Sequence, residues 1–428
     1  MVVVLFLLAG ILSFCTWAEQ HPNDAAAGRA LATRMKSETD LSAGVILIAR
    51  EEAEDTPFIQ GLQEGFKSLG VSVRQVARGA PAQAREVLEK EAREKTLPAA
   101  VATNHIASKW QVLDRLGENF PSLSKMRVFF PQSYYWPNFL KRDNLLNIAN
   151  QIAVIAILAI GMTLVIITGG IDLSVGSLIA LSAVVTARLI RDYGGGVEAS
   201  NLALLLCSLG AIFACALCGA FSGGMITLFA IPPFIATLGM MLIAGGLGYL
   251  ISHGESIDRI PERFMWLGRG ADLFTLPNAV VLMITLYLIA HLLMTRTVLG
   301  RCIYAVGGNP EAARLSGIRG ERVLLTVYAL CGALAGLGGV VMASQLKSGA
   351  PTYGQMYELY TIAAVVVGGT SLAGGEGKVL GTLAGALIIA VIQNGMNLLG
   401  FESNTQKVIL GSVLLVAVLL DRLKARVN

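Results

Sequence analysis

GMTLVIITGGIDLSVGSLIAL, residues 161–181, decides the fold. An apolar run reaches Thr168, breaks at Gly169 and Gly170, shows a single acid at Asp172 and resumes as a second apolar run. Glycine permits backbone angles that other residues resist, so the pattern predicts two helices meeting at a break. The first run begins near Leu146 and the second ends near Leu189. Each is about long enough to cross a bilayer. An ionised Asp at mid-membrane would cost roughly 2.5–3.5 kcal/mol, which puts Asp172 at the break and away from lipid. Two roles stay open for Asp172 and Ser174. Their side chains can cap the second helix by accepting from free backbone N–H groups, or stand beside a solute path, where irregular backbone lines a cavity.

Composition points the same way. The 428 residues are 54% hydrophobic and only 14% charged, with 47 glycines, which excludes a soluble multidomain protein and predicts a polytopic membrane protein. A net charge of +4, with no basic patch interleaved with aromatics, carries no nucleic-acid signal. Six cysteines stand at 15, 207, 215, 218, 302 and 331, and none between 19 and 140, so no disulfide framework supports that segment. Cys215 and Cys218 have CxxC spacing but lie inside an apolar helix without a second pair, and read as small packing residues. The four histidines, 21, 105, 253 and 291, are scattered and form no metal-ligand set.

In chain order, 2–18 is apolar and about 25 Å long as a helix, sufficient to span. No basic residue precedes it and FCTWAEQ makes a poor cleavage site, so a retained first helix entering from the cytoplasm is expected, taking residues 1–21. Further spans are expected at about 147–167, 173–190, 201–220, 232–252, 277–294, 322–344, 356–372, 377–398 and 405–421, ten in all. The loop 252–278 between two of them is polar, external and able to hold a short helix. This count puts 295–321 and the C-terminus in the cytoplasm, where short loops carry excess Lys and Arg. The first holds Arg296, Arg301, Arg314 and Arg319, and the second Arg422, Lys424 and Arg426, whereas 345–356 and 399–404 contribute only Lys347 and Glu402.

Residues 22–130 are a different material, crowded with charge. Strands are expected at 44–49, 71–77, 99–103 and 127–130, alternating with helices at 56–69, 81–95 and 106–116, which implies a small parallel α/β layer. The second helix offers Glu86–Lys90, Glu89–Arg93 and Glu91–Lys95 at i,i+4. The fold class is therefore an all-α polytopic membrane protein with a small inserted α/β domain at 22–137, the remaining nine spans forming 138–428. The aromatics of YYWPNFL (134–140) fit a re-entry at the headgroup level.

The most informative polar stretch is GRCIYAVGGNPEAARLSGIRG, 300–320. Asn309, Pro310 and Glu311 start a short helix well, as cap, first-turn proline and acid at the positive dipole end. Ala312, Ala313, Leu315 and Ile318 give it a small apolar face beside Arg314, and Gly317 can end it. Such a helix, held by two spans, can enter a soluble partner's groove, although its arginines alone would also make it an ordinary orienting loop. Gly332-x3-Gly336 and Gly381-x3-Gly385 allow close backbone approach in lipid. Gln393, Asn394 and Asn397 share one apolar span, with Asn394 and Asn397 on one face, and either bond other helices or meet a solute. Gln151 and Thr168 are further pathway candidates. LAGGEGKV (372–379) lacks the first Gly and terminal Ser/Thr of a phosphate-cradling P-loop and reads as a tight turn.

GMTLVIITGGIDLSVGSLIALSA closely resembles the signature of the permease subunit of ribose-type (simple-sugar) ABC importers, in the branched-chain amino acid/ribose permease superfamily. The resemblance continues through AVGGNPEAARLSGI (305–318), VVVGGTSLAGGEGKVLGTLAGA (365–386) and NGMNLLG (394–400), covering nearly all of 138–428. It implies a non-enzymatic transport subunit of the bacterial inner membrane that works as a dimer with a second copy. Its partners would be a periplasmic solute-binding protein and an ABC ATPase subunit, which alone uses ATP and Mg. It also makes 309–317 the coupling helix gripped by that ATPase. An ordinary member of this family lacks 22–130. GVILIAREEAEDTPFIQGLQEGFKSLGVSV resembles the opening of periplasmic sugar-binding proteins, of which about 85 residues supply at most part of one lobe, so a docking or regulatory platform and an inert spacer are the two expectations.

Other functions fit less well. A secondary transporter would need buried ionisable pairs along its spans, and the spans are almost free of them. A membrane enzyme or sensor would need a catalytic set or an output domain. Branched-chain amino acids and nucleosides remain alternative cargoes.

Overall fold

The computed structural model describes residues 2–94 and 96–427. The chain divides into two compact units, one made of Met1–Thr16 with Pro137–Asn428 and the other of Trp17–Trp136. Helix α1 (Val2–Cys15) opens the first unit, and strand β1 (Trp17–Gln20) follows at once. The first helix thus stops short of the expected residue 18, because Trp17–Gln20 is spent on a two-stranded ribbon with β6 (Tyr134–Pro137). Residues 17–21 accordingly belong with the second unit rather than with the helix.

That second unit is built on β2 (Val45–Ala49), every residue of which is buried. Side chains alternate across a strand, and here each face has its own layer. Val45, Leu47 and Ala49 pack with Leu31, Met35, Phe58 and Phe66 from α2 (Ala25–Glu38) and α3 (Thr56–Ser68). Ile46 and Ile48 pack with Ala84 and Leu88 of α4 (Pro81–Ala92) and with Leu113 and Leu123. Flanking β2 are β3 (Val73–Arg78) on one side and β4 (Ala100–Thr103) on the other, and β5 (Arg127–Phe129) completes a parallel sheet of order β3-β2-β4-β5. Strand positions match the sequence expectation, but three details do not. Helix α2 was not foreseen, since its Ala- and Arg-rich face carries only Leu31, Ala32 and Met35 into the core. The helix expected at 106–116 is two single turns, His105–Ser108 and Gln111–Asp114, interrupted at Trp110, which adopts extended backbone. Finally, the described ion pairs of α4 are Arg85–Glu89 at 3.0 Å and Glu91–Arg74 at 2.9 Å, because Glu91 turns inward to the neighbouring strand. Lys95 lies outside the described residues.

The chain rejoins the first unit where it left it: the Asn138 and Phe139 N–H groups donate to the carbonyl and hydroxyl oxygens of Thr16, at 2.9 and 3.1 Å. Helices α5 (Arg142–Ile167), α6 (Val175–Asp192), α7 (Asn201–Leu228), α8 (Pro233–Ser252) and α9 (Asn278–Arg296) follow. After the short α10 (Val298–Gly308) and α11 (Pro310–Leu315) come α12 (Gly320–Leu346), α13 (Tyr357–Val367), α14 (Val379–Leu398) and α15 (Ser403–Val427). Every one of the ten predicted apolar runs holds a helix, and among the described residues six, α5, α7, α8, α9, α12 and α14, are long and apolar enough to cross a membrane. The run expected at 356–372 is helical for only 11 residues, about 16 Å, because Gly368 and Gly369 end it. The loop before α9 holds the expected short helix, Trp266–Arg269, and an antiparallel bridge joins its Ile257 to Gly349. The side chains of Arg422, Lys424 and Arg426 lie outside those described.

Helix α5 is the hub: from Ile152 to Ile167 every residue is buried. Its neighbours reach it through a few polar ties, including the Tyr287 hydroxyl donating to Ala156 O (3.0 Å) and Thr163 paired with Thr382 across α14 (2.8 Å).

Asp55, buried in the second unit, offers a test. Its carboxylate accepts from Arg50 (2.7 Å), Asn23 (2.7 Å) and Asn104 (2.6 Å). Burial alone would raise its pKa, and the bonds from Arg50 and Asn23 outweigh that and hold it below the ordinary value. A depressed carboxylate contributes stability in full above the unfolded pKa and loses it as pH falls through the folded one. Hydrogen exchange at Val45–Ala49 in the full chain, corrected for intrinsic rates, is expected to accelerate below about pH 4. Asp55→Asn should show fast exchange already at neutral pH, at a cost of about 1–3 kcal/mol for the donors left unpaired.

Candidate functional site

The break begins with a helix cap. Thr168 N–H reaches Leu164 O at 3.2 Å, Gly169 N–H reaches Ile166 O at 2.9 Å and Gly170 N–H reaches Val165 O at 3.0 Å. Gly169 has φ +80°, the left-handed conformation that this type of C-terminal cap requires and that a Cβ disfavours. Helix α13 ends in the same way, with Gly368, Gly369 (φ +86°) and Thr370 donating to Ala364, Val366 and Val365. Thr168 bonds back to its own helix, its hydroxyl donating to Val165 O at 2.7 Å.

Asp172 and Ser174 are fully buried. One Asp172 oxygen accepts the Ser174 N–H (2.9 Å) and hydroxyl (2.6 Å), while Oδ2 has no partner among the described residues. Capping the second helix was one of the two roles left open for these side chains. Ser174 is the residue before α6, yet its side chain makes no capping bond: its backbone is already helical (φ −76°, ψ −15°) rather than extended, and its hydroxyl donates to Asp172. The phenol of Tyr328, on α12, lies directly against Gly170, where a Cβ would overlap its oxygen.

The amides lie at the other end of the unit. Asn394 and Asn144 exchange two bonds, 3.0 and 2.8 Å, tying α14 to the start of α5, some 36 Å of helix away from Thr168. Asn397 is exposed and accepts from Gln406 at 2.8 Å. Gln393 is part-buried and Gln151 exposed. The structure therefore brings the break residues together but separates them from the amides, and Asn394 is used for helix-to-helix bonding. Asn144 was missed, since nothing in the sequence links residues 250 positions apart.

The 297–319 segment meets the break. Asn309 caps α11 as expected, its Oδ1 accepting the Ala312 N–H at 2.9 Å. Gly317 (φ +81°) ends it, and Ile318 N–H returns to Ala313 O at 3.0 Å. Glu311 and Arg314 form an exposed ion pair of 2.7 Å; of the expected apolar face, Ala313 is buried whereas Leu315 is 79% exposed. Not foreseen was α10 immediately upstream, an 11-residue helix capped by Thr297, whose hydroxyl accepts the Gly300 N–H at 3.2 Å. Its Tyr304 donates to Gly377 O at 2.7 Å. The tight turn expected at 372–379 closes at 371–376, where the Ser371 N–H donates to Glu376 O at 3.1 Å, and Gly375 N–H donates to Ile167 O at 2.8 Å.

The sequence profile of the family described as "branched-chain amino acid transport system / permease component" matches residues 144–418, from the start of α5 into α15. The chain belongs to this family. Among its relatives is the ribose import permease protein of Escherichia coli K12, 44% identical over 292 residues, or 67% of this chain and 88% of that protein. The ribose import permease protein of Bacillus subtilis 168 is 42% identical over 316 residues, 73% of this chain and 94% of that protein. The D-allose transport system permease protein of Escherichia coli K12 is 36% identical over 285 residues, 67% of this chain and 85% of that protein. No solved structure matches the chain. The family match begins after the Trp17–Trp136 unit, so the break, the 297–319 segment and the amide pair all lie within it.

The Asn144–Asn394 pair can be tested by a double-mutant cycle. Interhelical hydrogen bonds in membranes contribute about 0.6 kcal/mol each and rarely more than about 1.7. Asn394→Ala and Asn144→Ala are each expected to destabilise the detergent-solubilised chain by about 1–2 kcal/mol. The double variant should cost little more than either single one, read from thermal or denaturant midpoints.

Proposed function

We propose that this protein is the membrane-spanning permease subunit of an ATP-driven importer for a simple sugar of the ribose type. It is a transport subunit, and ATP with Mg is used by a separate ABC ATPase. The reading is carried by the 36–44% identity to permeases named for ribose and allose import. The permease crosses the bacterial inner membrane about ten times, with both termini in the cytoplasm, and acts as a homodimer fed by a periplasmic binding protein. The alternation of helices supports that topology: the segments at 167–174, 297–319 and 368–378 touch one another, and those at 253–277 and 347–356 meet at the Ile257–Gly349 bridge. Residues 22–137 form an extracytoplasmic α/β insertion.

In this reading α11 is the coupling helix. Asn309, Pro310, Glu311, Ala312, Ala313, Arg314 and Gly317 shape it, and Leu315 supplies an exposed apolar knob for the ATPase groove. The break residues Thr168, Gly169, Gly170, Asp172 and Ser174 transmit or gate, and Gln151 and Gln393 are the polar groups left to face the solute. A branched-chain amino acid cargo is the second reading, favoured by the description of the family.

Proteoliposomes holding the permease with its ATPase and binding protein are expected to accumulate ribose on ATP addition and to ignore leucine. The reverse preference would reassign the cargo. Glu311→Lys should abolish sugar-stimulated ATP turnover while membrane insertion survives, since the exposed Glu311–Arg314 pair contributes at most about 1 kcal/mol to the fold.

A further inference from the structure

We propose that Gly307 and Gly375 are positioning residues of a backbone joint through which the 309–318 loop moves the end of α5. The proposal rests on the importer reading above and adds to it the residues by which force leaves the loop.

The joint has three members. The first is the carbonyl of Ile167, the last residue of α5 and the one that precedes the break. The second is the end of α10: a Cβ on Gly307 would overlap the Ile167 oxygen, so helix and carbonyl touch with no side chain between them. The third is the 371–377 turn, which donates the Gly375 N–H to the same oxygen at 2.8 Å. A Cβ on Gly375 would come within 2.7 Å of Gly308 Cα, and one on Gly374 within 3.2 Å of Gly169 Cα, so each member lies against the other two. Tyr304, three residues before Gly307 and hence on the same side of α10, fastens that helix to Gly377 O.

The loop is joined stiffly to this contact. Asn309 ends α10, its N–H donating to Ala305 O at 3.1 Å, and starts α11, its side chain accepting from Ala312. No free linker separates the helix offered to the ATPase from the one resting on Ile167. Side chains can absorb a displacement by changing rotamer, whereas a backbone pressed on a backbone has no such freedom. Movement of α11 therefore reaches the first residues of the break directly, and Asp172 and Ser174 follow within five and seven residues of Ile167.

Gly308 supplies an internal control, because a Cβ there would meet nothing within 4 Å. In proteoliposomes of the complete importer, with ribose as the probe, the quantity to measure is ribose moved per ATP hydrolysed. Gly307→Ala is expected to lower that ratio about tenfold, a typical size for coupling between sites, while complex assembly and sugar-free ATP turnover stay as in the wild type. Gly308→Ala should match the wild type. Tyr304→Phe adds no atoms, keeps the fold and should lower the ratio about fivefold, the factor for roughly one hydrogen bond. An unchanged ratio in Gly307→Ala, or a parallel fall of uptake and ATP turnover in Tyr304→Phe, would overturn the joint. Wild-type uptake reads the importer assignment and the variant-to-wild-type ratio reads the joint, so the two fail separately.

Discussion

Within a bilayer, helices gain little from burying apolar side chains against each other, since lipid tails are as apolar as leucine; close backbone approach is what holds them. Helix α12 depends on it along its whole length. Gly332 lies against the Cys215 carbonyl, Gly336 within 2.9 Å of where it would meet Cys215 and Ile212 of α7, and Gly339 against Ile179 O of α6. From α5, Gly161 comes to the Cys331 backbone, and on the far side Gly385 and Gly381 of α14 rest on Ala364 O and Gly368 O. Cys215, first noticed for its CxxC spacing, is a buried member of the α7–α12 crossing, with its thiol free.

Packing of this kind makes α5 an interior helix without making it rigid at its end. Its apolar body is enclosed on all sides, and the polar ties to it include Tyr287 to Ala156, Thr163 to Thr382, Gln345 to Asn150 and the Asn144–Asn394 pair. At Thr168 the enclosure gives way to irregular backbone, where Asp172 and Tyr328 each keep a buried oxygen with no hydrogen-bond partner among the described residues. Unmade bonds in a buried place are costly, so this region has something to gain from rearrangement.

Much of this was legible from the residues. Alternation of charge and apolar runs located all ten helices of the first unit's long runs, and GVILIA announced a doubly covered strand because β2 is buried on both faces. Asn309 and Gly317 announced the limits of α11 because capping is a local matter. What escaped was non-local or weakly patterned. Helix α2 hides its three core residues among Ala and Arg; α10 was read as loop because Gly300, Gly307 and Gly308 look like breakers, although Gly300 and Gly307 are close contacts here. The partner of Asn394 lies on another helix, 250 residues away, and no spacing rule reaches it.

Thr16 closes the ring of observations. Its carbonyl and hydroxyl receive the chain again at Asn138 and Phe139, so everything from Trp17 to Trp136 departs and returns through a doorway two residues wide. Loop-closure entropy grows only slowly with the length of what is looped out, and with the doorposts already bonded the membrane bundle is indifferent to its size. Such a junction behaves as a cassette port: a segment of a different length could be looped out between Thr16 and Asn138 while the same pair of bonds closes it.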